Sequence, residues 1–340
     1  MSRNNCFDVV RLLAAIAVIY FHHSLMFGME PPKLDKGFSI GNIAVQVFFS
    51  ISGFLIAMSF TRSSNFLIYM GKRVKRIFPA VTFCAFIMVY FFASFYKDNI
   101  FNYVTSWDTF INFLRISTLY GRNVPGLWSE ISSHTESNGP LWTLPYELVM
   151  YVILGASLSM HNSWKTPAFL LILCFFVTTL FREQLNSVGA YYATFSKLAE
   201  FGLCFFTGSL LFMTITAWNT LKVRVNLIAI SLILITTLRG GNDMLAIGSI
   251  MISILVIMIS LSFKERFIDG RFDISYGIYI WGWPLQILVI HYKPFGISEF
   301  VPSLIFTYLI VVIASSLSWA YIESPILKRK TQLNLNKDAA

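Results

Sequence analysis

Charged residues are scarce in this sequence: Asp, Glu, Lys and Arg make up 13% of the 340 residues, against 56% for hydrophobic residues. Soluble domains typically carry about 25% charged residues, so this shortage argues against a soluble globular protein. A membrane-spanning helix needs about 20 mostly apolar residues. Runs of that kind recur along the chain with short polar segments between them. The chain therefore has room for about ten spans and for no sizeable soluble domain.

Cysteine is also scarce, and metal-binding spacings are missing. Cys6, Cys84, Cys174 and Cys204 lie in or beside apolar segments, and no C-x-x-C pair occurs. We interpret them as buried free thiols and expect no metal site. Acidic residues are outnumbered, 17 against 26 basic ones, which gives a net charge of +9. In so apolar a chain the positive-inside rule explains this excess better than binding to nucleic acid.

The apolar runs predict an all-α integral membrane protein with about ten transmembrane helices. We place the spans near residues 7–28, 38–60, 77–96, 141–160, 166–182, 197–216, 225–239, 244–262, 274–292 and 300–322. With the N-terminus inside, 17 of the 26 Lys and Arg residues become cytoplasmic, so we expect both termini in the cytoplasm. The span at 225–239 is the weakest because it is short. The more polar segment 101–119 is expected to form an amphipathic helix at the outer interface, followed by an outer loop at 120–140.

The first predicted span carries ionisable residues. Arg11 and His22 are eleven residues apart, which on a helix places them on one face, about 16 Å apart along the axis. His23 points about 100° away. Ionisable groups at such depth usually face a bundle interior or a water-filled cavity. Two plainer interpretations stay open: Arg11 pairs with Asp8 one turn earlier, or His22 is a satisfied polar residue between helices.

Two further segments concentrate chemistry-bearing side chains. "YMGKRVKRIFPA" (69–80) has four cations in five positions, including Lys72, Arg73 and Arg76. Arginine forks suit phosphates, so we predict a phosphorylated cofactor or an anionic lipid head group there, with membrane anchoring as the alternative. "NGPLWTLPYELVMY" (138–151) places Glu147 inside a span, on one face with Tyr151. A carboxylate at that depth needs a partner or a proton, and a hydrogen bond to another helix is the plainer interpretation.

Six motifs occur in order along the chain, and together they resemble a known family. They are Arg11 with His22, "AVQVFFSISGFLIA" (44–57), the R-x-x-R of Arg73 and Arg76, "GPLWTLPYEL", "SYGIYIWGWP" and "YIESP" (321–325). From about residue 6 to residue 326 the chain resembles membrane acyltransferase family 3, the bacterial integral-membrane O-acyltransferases.

The resemblance implies transfer of an acetyl group from cytoplasmic acetyl-CoA to a sugar hydroxyl of a surface glycan, in the bacterial inner membrane. It also implies that the first-helix Arg11 and His22 are essential and that Arg73 and Arg76 serve the acyl donor. Where many members have a histidine in the "SYGIYIWGWP" motif, this chain has Gly282. Some members carry an extra extracytoplasmic domain, which we do not expect here. We expect one transmembrane domain at 1–326 and a short cytoplasmic tail at 327–340.

These expectations assign roles to named residues. A neutral His22 is expected to act as general base, and Glu147 to orient it or bind the sugar. Lys72, Arg73 and Arg76 are expected to bind the donor phosphates. The residues expected to bind substrate are Asn138, Trp142, Tyr151, Tyr276 and Tyr279. Two alternatives from other classes remain, a transporter of a glycan precursor or small solute and a scaffold protein of glycan assembly.

Overall fold

The computed structural model describes residues 5–36, 38–92, 99–124, 136–241, 243–265, 268 and 272–327, and this part of the chain is built of α-helices. The helices are α1 (Phe7–Met26), α2 (Ile40–Thr61), α3 (Phe66–Phe86), α4 (Ile100–Thr105), α5 (Trp107–Ser117), α6 (Leu144–Met160), α7 (Lys165–Phe176), α8 (Arg182–Val188), α9 (Ala190–Met213), α10 (Ile215–Trp218), α11 (Leu221–Thr237), α12 (Ser249–Ser262), α13 (Ser275–Tyr292) and α14 (Phe300–Ser318).

Short turns of other helical types adjoin several of these helices. A 3₁₀ turn, Gly139–Thr143, leads directly into α6. The π-helical turns are Ile87–Phe91 after α3, Val177–Phe181 between α7 and α8, Met244–Gly248 before α12, and Trp319–Glu323 after α14.

Within the described residues, eight helical segments are long and apolar enough to cross a membrane, which makes this a multi-pass membrane protein. They are Phe7–Met26, Ile40–Thr61, Phe66–Phe91, Gly139–Met160, Lys165–Val188, Tyr192–Met213, Met244–Ser262 and Phe300–Leu327. The other two predicted spans are also helical. The helix α11 has only 17 residues, and α13 has 18 residues whose hydropathy is lowered by Tyr, Trp, Gly and Gln.

The helix that carries the third predicted span begins at Phe66, eleven residues before the predicted start of the span at 77. The cations at positions 72–76 lie inside this helix. Charge breaks a hydropathy run, but Lys and Arg are good helix formers, and the backbone continues through them. The predicted end at 96 lies outside the described residues.

The amphipathic segment predicted at 101–119 consists of two helices, α4 and α5. Phe101, Trp107, Phe110 and Leu114 are exposed along it, whereas Thr109 and Ile116 are buried. This is the two-sided pattern that an interfacial helix needs. Most of the loop expected at 120–140 and nearly all of the tail expected at 327–340 lie outside the described residues.

The chain divides into two compact units, of which the first comprises residues 1–21, 30–70 and 146–271. Its centre is formed by α2, α9 and α12. The helices α2 and α9 approach so closely that a Cβ added to Gly53 would lie 1.8 Å from the carbonyl oxygen of Phe205. A Cβ on Gly208 would lie 2.1 Å from the carbonyl oxygen of Ser50. Small residues permit such contacts, which drive helix association in membranes.

The second unit comprises residues 22–29, 71–145 and 272–340. Its central helix, α13, is buried along nearly its whole length and packs against α14. Gly277 marks the close approach, since a Cβ there would lie 2.9 Å from Cβ of Ser315. On α3, the carbonyl oxygen of Ile77 accepts a hydrogen bond from the Tyr276 hydroxyl at 3.0 Å. Within this unit, α13 thus contacts both α14 and α3, the helix that carries the predicted cation cluster.

Candidate functional site

The two adjacent histidines of α1 have different surroundings within the second unit. His22 is half-buried, and its ring meets Trp283 edge-on, with centroids 4.7 Å apart and an interplanar angle of 87°. His23 is fully buried, its Nδ1 atom lies 3.3 Å from Nε2 of Gln286, and its ring lies 5.2 Å from that of Phe300. The side chain of His22 is therefore partly accessible, whereas that of His23 is enclosed by its neighbours.

Trp283 links His22 to the segment that precedes α6. Its indole Nε1–H donates a hydrogen bond to the carbonyl oxygen of Glu136 at 2.9 Å. Gly139 lies against the same ring, because a Cβ at that position would be 3.2 Å from three indole carbons. The Glu136 carboxylate in turn pairs with Arg122 at 2.7 Å. The indole is held on two sides and offers a fixed wall to the imidazole of His22.

The 138–143 turn is fixed to α13 by hydrogen bonds. Asn138 is buried, and its amide Nδ2 donates to the carbonyl oxygen of Ile280 at 2.9 Å. Tyr279 donates to the carbonyl oxygen of Pro140 at 2.8 Å, and its hydroxyl lies 2.6 Å from that of Thr143. Trp142 is half-buried. Asn138 and Tyr279 thus fix the turn to α13, and the side chain of Trp142 is more exposed than either.

Arg76 lies in a cage of two carboxylates and two aromatic rings. Its guanidinium is 2.5 Å from Asp273 and 3.3 Å from Glu323, and its side chain is 19% exposed. The rings of Tyr276 and Trp319 both lie 5.6 Å from its central carbon, within the range of cation–π attraction. The charge of Arg76 is therefore already balanced inside the protein, by partners that come from the start of α13 and the turn after α14.

Lys72 and Arg73 lie on the same helix as Arg76, and both are half-buried, whereas Lys75 is exposed. Since Arg73 is three residues before Arg76, the two arginines lie on neighbouring parts of the α3 surface. The second unit thus contains both the predicted cation cluster and the turn beside His22.

Glu147 and Tyr151 belong to the first unit, as does Arg11, which is half-buried on α1. The Glu147 carboxylate accepts hydrogen bonds from the hydroxyls of Ser52, at 2.5 Å, and Tyr151. The carbonyl oxygen of Tyr151 accepts one from the Tyr69 hydroxyl at 2.9 Å. The shared face predicted for Glu147 and Tyr151 is thereby confirmed, and the carboxylate has the hydrogen-bond partners it was expected to need.

The sequence interpretation missed four contributors to this arrangement. Trp283 follows Tyr276 and Tyr279 at positions i+7 and i+4, so helical spacing along α13 was an available signal for it. Gln286 continues the same side one turn later. Asp273 and Glu323 gave no such signal, because their partner Arg76 is about 200 or more residues away along the chain.

Comparison with known proteins decides the family. A model of acyltransferase family 3, described as an acyltransferase domain, matches residues 4–322. The chain belongs to acyltransferase family 3. The O-acetyl transferase of Shigella phage Sf6 is 34% identical over 340 residues, covering 97% of this chain and 98% of the phage protein. Nodulation protein 10 of Rhizobium leguminosarum bv. viciae is 26% identical over 379 residues, covering 97% and 95%. No solved structure matches the chain.

Membership of acyltransferase family 3 confirms the resemblance drawn from the six motifs and makes the protein an O-acetyltransferase. This family membership supports an enzyme rather than a transporter or a scaffold protein. An acyltransferase of this kind requires an acyl donor and an acceptor.

Proposed function

We propose that this acyltransferase family 3 protein transfers an acetyl group from cytoplasmic acetyl-CoA to a sugar hydroxyl of a bacterial surface polysaccharide. The acceptor is an O-antigen, capsule or exopolysaccharide, either lipid-linked or polymeric. The enzyme works in the inner membrane with both termini in the cytoplasm. The observation that carries the proposal is His22, a half-buried imidazole on a spanning helix, set edge-on against a fixed tryptophan.

The proposed chemistry needs a single base. His22 takes the proton of the acceptor hydroxyl as the hydroxyl oxygen attacks the thioester carbonyl carbon. The carbon–sulfur bond then breaks, and the sulfur of CoA leaves with the proton returned by the imidazolium. Half-burial suits this role, since it leaves the ring accessible while limiting contact with water. The Trp283 wall restricts rotation of the ring and so favours one orientation of its nitrogens.

On the donor side, we assign the CoA phosphates to Arg73 and Lys72, with Arg76 as their positioning partner. Arginine can bind phosphate through two parallel hydrogen bonds. The ion pairs of Arg76 with Asp273 and Glu323 favour a supporting role over direct phosphate contact, because an anion would have to displace a carboxylate. Arg11 is retained as a participant on the same helix as His22, as the family resemblance implies.

On the acceptor side, Trp142 is proposed to stack on the sugar, because its half-buried ring offers an apolar surface. Asn138, Tyr276 and Tyr279 support that surface through their hydrogen bonds to the backbone. Tyr151 and Glu147 are retained as acceptor residues of the first unit, and their direct hydrogen bond holds the carboxylate in one orientation.

The reaction is tested with purified protein in nanodiscs, labelled acetyl-CoA and surface polysaccharide from a strain in which this gene is deleted. Wild-type protein should transfer label to the polysaccharide, and the His22→Gln variant should bind acetyl-CoA normally but transfer almost none. Transfer by His22→Gln at the wild-type rate would exclude the general-base role. If wild-type protein labels no surface polysaccharide, the proposed acceptor class is wrong.

The donor assignment is tested by measuring the affinity for acetyl-CoA. Arg73→Ala should weaken donor binding, and Arg73→Lys should restore it only in part, because a point charge cannot make a two-pronged contact. The matched control is Lys75→Ala, which removes an exposed cation of the same helix. Equal losses in Arg73→Ala and Lys75→Ala would reduce the cluster to general electrostatic attraction.

A further inference from the structure

Ser52 of α2 makes a hydrogen bond unlike those of three serines at the centre of the first unit. The hydroxyls of Ser50, Ser209 and Ser253 each donate to the carbonyl oxygen four residues earlier on their own helix. Serines inside helices commonly bond to the backbone in this way. The Ser52 hydroxyl instead donates to the Glu147 carboxylate of α6 at 2.5 Å. Its proton is therefore committed to a side chain of another helix.

The Glu147 carboxylate receives two hydroxyl donors on the same oxygen. Ser52 and Tyr151 both donate to Oε1, and their own oxygens lie 3.3 Å apart. Among the described residues, none donates to the other carboxylate oxygen, Oε2. Glu147 and Ser52 are half-buried, so packing does not enclose them completely. The two donors on Oε1 hold the carboxylate in one orientation and leave Oε2 to accept a hydrogen bond from a ligand.

The turn of α6 that carries Glu147 and Tyr151 is itself held in place. The Tyr151 side chain is buried, and its backbone carbonyl oxygen accepts a hydrogen bond from the Tyr69 hydroxyl at 2.9 Å. Tyr69 is fully buried and lies against α6 at Gly155, where a Cβ would be 2.5 Å from the Tyr69 ring. Because this turn is fixed on one side by Tyr69, the orientation of the carboxylate depends on the hydroxyls of Tyr151 and Ser52.

The chemistry of Oε2 indicates what it binds. An ionisable side chain inside a spanning helix usually marks a functional site. A metal ion needs several ligands, and in the described part of the chain no group of three or more His, Cys, Asp or Glu could hold one. A carboxylate oxygen accepts hydrogen bonds, and a hydroxyl donates them. A hydroxyl of the acceptor sugar is therefore a suitable partner for Oε2.

We infer that Ser52 is a positioning residue for the acceptor: with Tyr151, it holds Glu147 so that Oε2 accepts a hydrogen bond from one hydroxyl of the acceptor sugar. The inference rests on the proposed function, in which Glu147 is an acceptor residue. Loss of the Ser52 hydroxyl frees the carboxylate to rotate. The acceptor then binds more weakly, while proton transfer by His22 is unaffected.

The inference is tested with full-length protein in nanodiscs and surface polysaccharide from the strain in which this gene is deleted. Saturation-transfer NMR without acetyl-CoA measures binding of the polysaccharide, and kinetics give KM and kcat. Ser52→Ala should weaken binding and raise KM for polysaccharide by about two- to tenfold, the range expected for one hydrogen bond. The KM for acetyl-CoA and kcat should not change. Ser52→Thr keeps a hydroxyl and should restore most of the binding.

The matched control is Ser50→Ala, two residues away on the same helix, which should lower the melting temperature slightly and leave KM unchanged. A double variant then separates positioning from a structural role. If Ser52 acts through Glu147, Ser52→Ala should change polysaccharide binding little in a Glu147→Gln background, because substitutions that act through one contact are not additive.

Four results would overturn the inference: additive effects of Ser52→Ala and Glu147→Gln, unchanged polysaccharide binding in Ser52→Ala, an equal rise in KM for Ser50→Ala, or no polysaccharide binding by wild-type protein. A different result would separate the inference from the proposed function. Wild-type protein that binds polysaccharide without acetylating it, together with weaker binding in Ser52→Ala, would reject the proposed function and leave the positioning role of Ser52 standing.

Discussion

Two buried polar contacts, one in each unit, are of different kinds. In the first unit the contacts between α2 and α12 are neutral: Ser50 and Ser253 hydroxyls are 2.8 Å apart, and the Gln46 amide donates to Ser249 at 3.2 Å. In the second unit the contact of Arg76 is ionic, a single arginine between two carboxylates. Neutral groups can replace a lost partner with a nearby carbonyl, whereas a buried charge without its counterion is costly.

Polar side chains serve three different purposes in this membrane protein. Serines and glycines of the first unit bring helices together. Arg76 of the second unit joins three parts of the chain through its ion pairs. His22 differs from both, because it is half-buried and its ring meets the indole of Trp283 edge-on. Depth in the membrane alone is therefore a poor sign of catalysis, and the surroundings of each group decide.

The largest expected effect is that of His22→Gln compared with His23→Gln. Loss of a general base usually lowers the rate by about 10²–10⁴, so His22→Gln should nearly abolish acetyl transfer at a normal melting temperature. His23 contacts Gln286 and aromatic rings, so His23→Gln should lower the melting temperature and retain most of the activity. Rates are measured at matched membrane levels. The reverse pattern would make His23 the catalytic group.

The next effect concerns the ionic contact of the second unit. Removing the shared partner of buried ion pairs costs about 3–5 kcal/mol, so Arg76→Met, which takes their common counterion from Asp273 and Glu323, should strongly lower the free energy of unfolding in mixed micelles. The double variant Arg76→Met, Glu323→Gln should recover part of the loss, because only one carboxylate then lacks this counterion. Glu30→Gln, which breaks an exposed pair with Lys33, is the control and should change nothing measurable. An equally small loss for Arg76→Met would show that these ion pairs add little to stability.

A smaller effect is expected where α2 and α9 meet. Gly53→Ala would place a methyl group against the backbone of α9, and overpacking of this kind costs about 1–3 kcal/mol. Gly71→Ala is the matched control, since a Cβ on Gly71 would have no neighbour within 4 Å. The control should be neutral or slightly stabilising in thermal unfolding. Equal tolerance of both substitutions would show that the two helices can separate without loss.

Hydropathy and helical spacing predicted much of this structure, and their failures have physical causes. They found the helical spans and the shared face of Glu147 and Tyr151, because both are local properties of one helix. They began the third span at residue 77, eleven residues after α3 begins, because Lys72 and Arg73 interrupt the apolar run. Nothing local indicates that Asp273 and Glu323 meet Arg76 from distant parts of the chain. The contact between His22 and Trp283 was equally out of reach, since the two side chains lie on α1 and α13, far apart along the chain.

The smallest predicted effect tests whether the neutral contacts of the first unit are as replaceable as we argue. Ser253→Ala removes one hydroxyl of the Ser50–Ser253 contact, but the Ser50 hydroxyl keeps its hydrogen bond to the carbonyl oxygen of Gln46 at 2.7 Å. The loss should be about 0.5–1.5 kcal/mol. In a double-mutant cycle with Ser50→Ala, the coupling should be near the ~0.6 kcal/mol found for interhelical hydrogen bonds in membranes. Ser316→Ala, at a half-buried serine whose hydroxyl donates to the carbonyl oxygen of Val312 on its own helix, is the control. A coupling as large as the loss in Arg76→Met would erase the distinction between the neutral and ionic contacts.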